Sequence, residues 1–541
     1  MRILAAIALS FAVVLSGAGP AWSQEAETIL VNGKVLAGDA AFATHEALAV
    51  HDGKILAAGR TADIERLAGP KTRRIDLGGR TVIPGLIDSH LHATRAALSF
   101  STEVNWIGAA SLAEAMQRLR DAARAATPGA WLIVVTPPAT LDAFPERRRP
   151  TQAELVAAAP DHPVYLQLAY GWALATPLAL KALNIDNPTG VITSNLIELF
   201  EKLPKPTFDQ QVAGTKLFFR ELNRLGLTGV VDPGGNNMTP REYQALFKVW
   251  RDGALTVRVA YSLCGMTDGN EFEEYRNYLA MMPQGFGDAM LRFNGLGERI
   301  TWAMNGVDGT PSPADAQKYY EIVRWAAERG LTITMHWDSD RNAGELLGIF
   351  ERVNREFPIA PLRWTIAHLN DASPATLQRM KALGVGWTVQ DSLYNSGDAV
   401  VRRAGADAAM RMPPVVTGMK LGVAMGAGTD AHRVSTYNPF TVLQWLLDGK
   451  TATGNALRGA GETPSRADAL RLYTRGSAWV SHDDDVRGSL EAGKLADLAV
   501  LSDDYMTVPL DRIGRLESVL TMVGGRIVYA SAAYQQLEET R

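Results

Sequence analysis

The chain has 541 residues, 47% of them hydrophobic and 21% charged, with a formal net charge of −4. That length can bury a large core and more than one domain, and the charge offers no basic footprint for nucleic acid or an anionic membrane. A single cysteine, Cys264, excludes an internal disulfide framework and a cysteine-based zinc site.

The first segment, "MRILAAIALSFAVVLSGAGPAWSQEAET", reads as a leader and not as part of the fold. Arg2 supplies a positive start, an apolar stretch runs from Ile3 to about Gly17, and small residues precede Gln24. This predicts a secretory signal over 1–23, cut after Ser23. A membrane anchor is the alternative, but the stretch is shorter than the roughly 20 residues a span needs. The expected location is secreted or periplasmic, with no membrane contact after cleavage.

From Thr28 to Asp76 short apolar runs alternate with turns, and Asn32-Gly33 and Asp52-Gly53 predict hairpins. The end of the chain returns to this texture in "GSLEAGKLADLAVLSDD" and "SVLTMVGGRIVYA". The two ends therefore predict one β-sandwich domain, assembled from 24–82 and 485–541.

Between them, helix-like and strand-like segments alternate. "SLAEAMQRLRDAARAA" has helical periodicity, with Ser111 and Glu114 as a capping box. "AQKYYEIVRWAAERG" precedes the strand "LTITMHW", "SPATLQRMKALG" precedes "VGWTVQ", and "ALRLYTRGSAWV" reads as a further helix. Helix–Gly–strand repetition at this length predicts an α/β fold, a (β/α)8 TIM barrel over 83–484. The Pro- and Arg-rich "FPERRRPTQAEL" marks a loop within an inserted α/β segment, about 100–205, after strand 1.

The histidines fall where such a barrel would use them. "TVIPGLIDSHLH" ends in His90 and His92, two apart, so that both imidazoles share one face with Leu91 on the other. His336 ends "LTITMH", His368 ends "LRWTIAH" and Asp430 ends "LGVAMGAGTD". Barrel strands open their C-terminal ends onto a single face, where the sites of these enzymes lie. Four histidines and one aspartate there are ligands of the right kind for zinc or a similar divalent ion.

The run into H-x-H, the two later histidines and "GAGTDAH" resemble the metal-dependent amidohydrolase superfamily, as do the β-rich ends "VNGKVL…DGKILAAG" and "GSLEAGKLADLAVL". "MHWDSDRNAGELLGIFERV", "WTIAHLNDASPATLQRMKALGV" and "DDYMTVPLDRIGRLESVLTMVGGRIVYA" resemble its family-3 branch, which contains N-substituted formamide deformylase-like proteins. The resemblance implies that His90, His92 and Asp430 hold a first metal, and that His336 and His368 hold a second or close the site around one. It also implies that Asp430 takes a proton from the attacking water and hands it to the leaving nitrogen.

Four features depart from that pattern or lie beside it. Many relatives carry a carboxylated, metal-bridging lysine on the fourth strand, whereas "LRFNGLGERITWAMNG" offers none. Glu298 is the available carboxylate, either bridging two metals or paired with Arg299 or another surface cation, which would leave a mononuclear site. Relatives often read Asp-Gly-His-Ala where this chain has Tyr170-Gly171-Trp172-Ala173, which makes Tyr170 and Trp172 either substrate contacts or packing of the insertion. His432 is a substrate or supporting group or an exposed loop residue, and Asp340 is read as support for the ligands.

The expectation is a metal-dependent hydrolase, with one or two divalent ions per chain and zinc the first choice. It would act on a non-peptide amide (C–N) bond of a small-molecule substrate. An ester, lactone or carbamate hydrolase with the same site, or a silent binding protein of the same fold, is the alternative. A homo-oligomer is left open.

Overall fold

The structure is a computed structural model and describes residues 25–305 and 311–538. The leader and its cut after Ser23 lie outside these residues. No helix among the described residues is long and apolar enough to cross a membrane.

Eight parallel strands carry the site. They are β1 (Leu86–Asp88), β2 (Leu227–Asp232), β3 (Arg258–Leu263), β4 (Leu291–Leu296), β5 (Thr334–Trp337), β6 (Thr365–His368), β7 (Gly386–Gln390) and β8 (Met425–Gly428). Ladders join β1 to β4 through β2 and β3, and β5 to β8 through β6 and β7. Two seams close the ring. Leu296 bridges Ile333 in parallel between β4 and β5, and Ser89 N donates to Ala427 O between β1 and β8.

The helices between strands follow local signals. Pro313–Glu328 starts on a Ser312 cap, and Pro374–Leu383 starts on Ser373 and stops at Gly384 in the left-handed region. Ser111 caps Leu112–Ala125 by accepting from Glu114 N, but the Glu114 carboxylate reaches Ala110 N rather than that of the cap residue. Only half of the expected capping box forms. "ALRLYTRGSAWV" is not one regular helix, since a π turn over Leu472–Gly476 separates Arg466–Arg471 from Ser477–Val480.

Two further sheets share one core of residues from both ends of the chain, among them Leu30, Leu48, Ile75, Leu498 and Leu520. The four-stranded sheet is N-terminal throughout. The six-stranded sheet joins three N-terminal strands, Thr44–His45, Lys34–Leu36 and Thr81–Pro84, edge to edge with Leu498–Leu501, Ser518–Val523 and Arg526–Ala530. Asp52-Gly53 turns a true hairpin, with both residues at positive φ and His51 opposite Lys54. Asn32-Gly33 does not. The strands on either side enter different sheets, Ala26–Val31 pairing with Ala47–His51 and Lys34–Leu36 pairing in parallel with Thr81–Pro84. The turn residues are right, but the flanking apolar runs serve the two faces of one core rather than one ladder.

"TVIPGLIDSHLH" likewise serves two sheets. Thr81–Pro84 pairs with Leu498–Val500, and the barrel begins at Leu86. Gly85 makes the crossing, because a β-carbon there would sit 2.2 Å from Thr228 Oγ1. Between β1 and β2 the chain builds a five-stranded sheet from Glu103–Asn105 to Val191–Ile192, with its own apolar clusters.

Candidate metal centre

Hydrogen bonds past the strand ends fix the first ligand candidates. Asp88, fully buried at the end of β1, accepts from His90 N at 3.0 Å and from Thr429 Oγ1 at 2.7 Å. Asp430 N donates to His90 O at 2.8 Å. The ends of β1 and β8 are thus stitched together, and His90 and Asp430 face each other. His90 and His92 lie just beyond β1, yet Leu91 N still donates to Val231 O, so the extended alternation continues and Leu91 is buried away from both imidazoles.

Glu298 settles which way the fourth-strand acid turns. Its carboxylate is 3.1 Å from His90 Nε2, 3.3 Å from His92 Nε2, 3.2 Å from His336 Nδ1 and 3.7 Å from His368 Nε2. Arg299 is not its partner, since that guanidinium donates to Gly265 O and Asn236 Oδ1. Asp430 Oδ1 completes the cluster, 3.1 Å from His92 Nε2 and 3.6 Å from His90 Nε2. Two triads result, His90–His92–Asp430 and His90–Glu298–His368, with His90 in both.

The cluster passes a chemical test for a divalent ion. A tetrahedral ion with bonds of about 2.0–2.1 Å separates its ligand atoms by about 3.3 Å, and the nitrogen–oxygen distances here bracket that value. The ring nitrogens of His90 and of His368 are buried and make no well-aligned hydrogen bond, so the lone pair on each neutral ring meets no donor among the described residues and is available to a cation. The electrostatics agree. Burial and Arg95 both push His92 down, yet Glu298 and Asp430 hold it up to about 10. Burial would raise the Glu298 carboxyl, but His92, His90 and His336 bring it well below its usual range. Two carboxylates in a buried site attract positive charge.

The tautomers follow from the outward partners. His92 Nδ1 lies 2.6 Å from Gly234 O, which can only accept, so Nδ1 carries a proton and Nε2, facing the cluster, is the nitrogen that would give up its proton to a cation. His336 Nε2 faces Asp338 Oδ2 at 3.4 Å, leaving Nδ1 toward Glu298. His368 and Asp430 both adopt left-handed backbone, at φ 70° and 54°, which costs of order 1–3 kcal/mol each. Gln390 Oε1 accepting from His368 N and Trp387 Nε1 donating to His368 O hold the first of them in place.

Of the other residues singled out from sequence, Tyr170 is 40% exposed and lines the cavity over the cluster, its hydroxyl 3.4 Å from Arg95 Nη1. Trp172 lies beneath Arg149, whose guanidinium is 4.7 Å from the ring centroid, and packs on the core of the insertion. It lines neither cavity described here, so its aromatic surface serves packing. His432 is buried, not exposed, with Nε2 3.4 Å from Glu103 Oε2, and Glu103 in turn pairs with Arg433 at 2.9 Å. Among the described residues Asp340 makes no hydrogen bond to a ligand candidate. It accepts from Ser373 N and ties the loop after β5 to the loop after β6.

Asp338, Asp232 and Arg95 carry roles that sequence reasoning missed. Asp232 ends β2 and accepts from Gly234 N at 3.0 Å, which places the carbonyl that orients His92. Its position at a strand end in "GVVDPGG" was the available signal. The cavity over the cluster has a volume of about 120 Å³. Arg95, Tyr170 and Asn236 line both it and a neighbouring cavity of about 380 Å³ beside the insertion.

A closed parallel barrel with a histidine–carboxylate cluster at the C-terminal ends of its strands is the architecture of a hydrolase barrel. The model of the amidohydrolase family matches residues 73–529, and the chain belongs to that family. Among curated relatives, N-substituted formamide deformylase of Arthrobacter pascens is 24% identical, over 94% of this chain and 99% of its own length. Among solved structures, an uncharacterized metal-dependent hydrolase of Pyrococcus horikoshii superposes with a TM-score of 0.66 at 23% identity, covering 90% of this chain and 99% of that one. Atrazine chlorohydrolase TrzN of Arthrobacter aurescens, complexed with zinc, gives 0.55 at 16% identity, covering 93% and 95%. These structural likenesses are likenesses of fold.

Proposed function

We propose that the chain is a metal-dependent hydrolase that cleaves a non-peptide amide bond of a small molecule, with Asp430 as its proton shuttle. One observation carries the reading: a largely buried cluster of four histidines and two carboxylates, Glu298 and Asp430, opens onto a cavity at the C-terminal face of the barrel. His90, His92, His336, His368, Glu298 and Asp430 would hold one or two divalent ions, and the nitrogen-rich donor set favours zinc. When bound, such an ion would polarise the scissile carbonyl and bring the pKa of the attacking water down to about 7.

The protein's own groups supply the rest. Burial pushes the Asp430 carboxyl up, but His92, His368 and His90 outweigh it and keep the group an acceptor. It can therefore take a proton from water and return it to the departing nitrogen. Gly234 O and Asp338 hold two of the imidazoles in the orientation the site needs. Membership of the amidohydrolase family, and a relative named as a deformylase of N-substituted formamides, support an amide as the bond cleaved. The apolar leader supports an exported enzyme.

A panel of paired amides and esters tests this reading. We expect turnover of at least one amide, loss of that turnover on dialysis against a zinc chelator, and its return with added zinc. Amide hydrolysis that survived complete metal removal would overturn it.

A further inference from the structure

Arg95 stands on the helix that follows His92, Ala93–Ser99, and its charge is not used up by the fold. Among the described residues its hydrogen bond is to Tyr170 Oη at 3.4 Å, Nε is buried without a partner, and no carboxylate forms an ion pair with it. Of the other cations lining the larger cavity, two are spent and the third, Arg241, is exposed to solvent. Arg433 pairs with Glu103 at 2.9 Å and lies over the Phe200 ring, and Lys205 pairs with Glu201 at 3.1 Å.

The place of that charge is defined closely. A β-carbon on Gly235 would be 3.0 Å from His92 Nδ1 and 3.4 Å from Arg95 Nη1, so the guanidinium and a ligand candidate flank the same glycine, close enough for the charge of Arg95 to act on His92. Arg95 also lines both the 120 Å³ and the 380 Å³ cavities. The larger one has an apolar wall of Leu98, Ile133, Ile197, Phe200, Leu203 and Met238. Its volume suits a small-molecule substituent. Glu298 and Asp430 are the acidic groups facing the smaller cavity, and ligation of a divalent ion would occupy both of them. Asp232, the third acid near Arg95, is already taken by Thr94 N, Thr94 Oγ1 and Gly234 N, so Arg95 would then be a partly desolvated cation without a paired carboxylate, at the junction between the reacting centre and a mainly apolar chamber.

We propose that Arg95 is a specificity residue that binds an anionic group of the substrate beside the scissile bond, while the 380 Å³ chamber takes an apolar substituent. The substrate class is thus an acidic amide, a carboxylate or similar anion joined to an apolar group, rather than a neutral or cationic amide. This inference rests on the hydrolase reading for the word substrate, but the anion site is tested without turnover. An arginine fork donates two charge-assisted hydrogen bonds to such a group.

The test is calorimetric titration of the full-length protein, prepared with zinc, using hexanesulfonate and hexan-1-ol as probes. The first carries an anion that is a poor zinc ligand, and the second is its uncharged counterpart. We expect the wild type to prefer the sulfonate by at least about tenfold, the scale of a hydrogen bond to a charged group. Arg95→Met should abolish the preference, and Arg95→Lys, which keeps the charge but not the fork, should retain part of it. Unfolding midpoints equal to wild type confirm that the variants are folded. Equal affinity for the two probes in wild type, or a preference surviving in Arg95→Met, would overturn the proposal. Amide hydrolysis without an Arg95-dependent preference would sink the anion site alone, whereas the preference without any hydrolysis would sink the hydrolase reading and leave the site standing.

Discussion

Asp430→Asn is expected to lower amide turnover by at least roughly a hundredfold while the protein keeps part of its metal. The asparagine offers an oxygen of similar size to the cluster but cannot accept a proton from water at neutral pH. An amide anion leaves poorly until its nitrogen is protonated, so the second proton transfer matters most for amides. General acid–base assistance is typically worth 10²–10⁴-fold, or about 2.7–5.4 kcal/mol of barrier at 1.36 kcal/mol per tenfold. An ester with a good leaving group should suffer less. Steady-state rates on a matched amide and ester measure the difference. An Asp430→Asn protein with metal bound and near wild-type amide turnover would refute the shuttle.

The second large effect is on stability. Arg258, at the start of β3, forms a two-pronged ion pair with Asp497, Nε to Oδ2 at 2.7 Å and Nη2 to Oδ1 at 3.0 Å. Both residues are buried, at 6% and 5% exposure. Asp497 also accepts from Gly524 N, so the pair joins the floor of the barrel to the sheets built from the chain ends. Arg258→Met leaves a buried carboxylate without its cation, which costs about 3–5 kcal/mol. Adding Asp497→Leu removes the stranded charge and should recover much of that loss. Urea unfolding followed by tryptophan fluorescence reads both, and a single variant within about 1 kcal/mol of wild type would show that the pair is not a brace.

The features legible in the sequence were those that depend on a residue and its near neighbours. An apolar run ending in histidine or aspartate reads as a barrel strand delivering a ligand, and His90, His92, His336, His368 and Asp430 do converge. Glu298 could be placed near a strand end, but nothing local decided between the cluster and Arg299. That choice is made by Gly265 O and Asn236, distant in sequence, which claim the arginine. Asn32-Gly33 has the residues of a hairpin turn, and only pairing with Thr81–Pro84 shows that the chain changes sheets there. Trp172 presented an aromatic residue near a suspected mouth, and its burial beneath Arg149 depends on how the insertion packs. Asp338 and Asp232 matter through the imidazoles they orient, directly or through a carbonyl, and an aspartate at a strand end does not by itself reveal which imidazole it orients.

Whether the histidine–carboxylate cluster holds divalent metal is tested most directly by elemental analysis of purified protein, counted per chain. The wild type should carry about two divalent ions if Glu298 bridges them, falling toward one in Glu298→Gln. His90→Ala should carry almost none, because His90 belongs to both triads. Wild type without bound metal, or His90→Ala with the wild-type complement, would contradict the site described here.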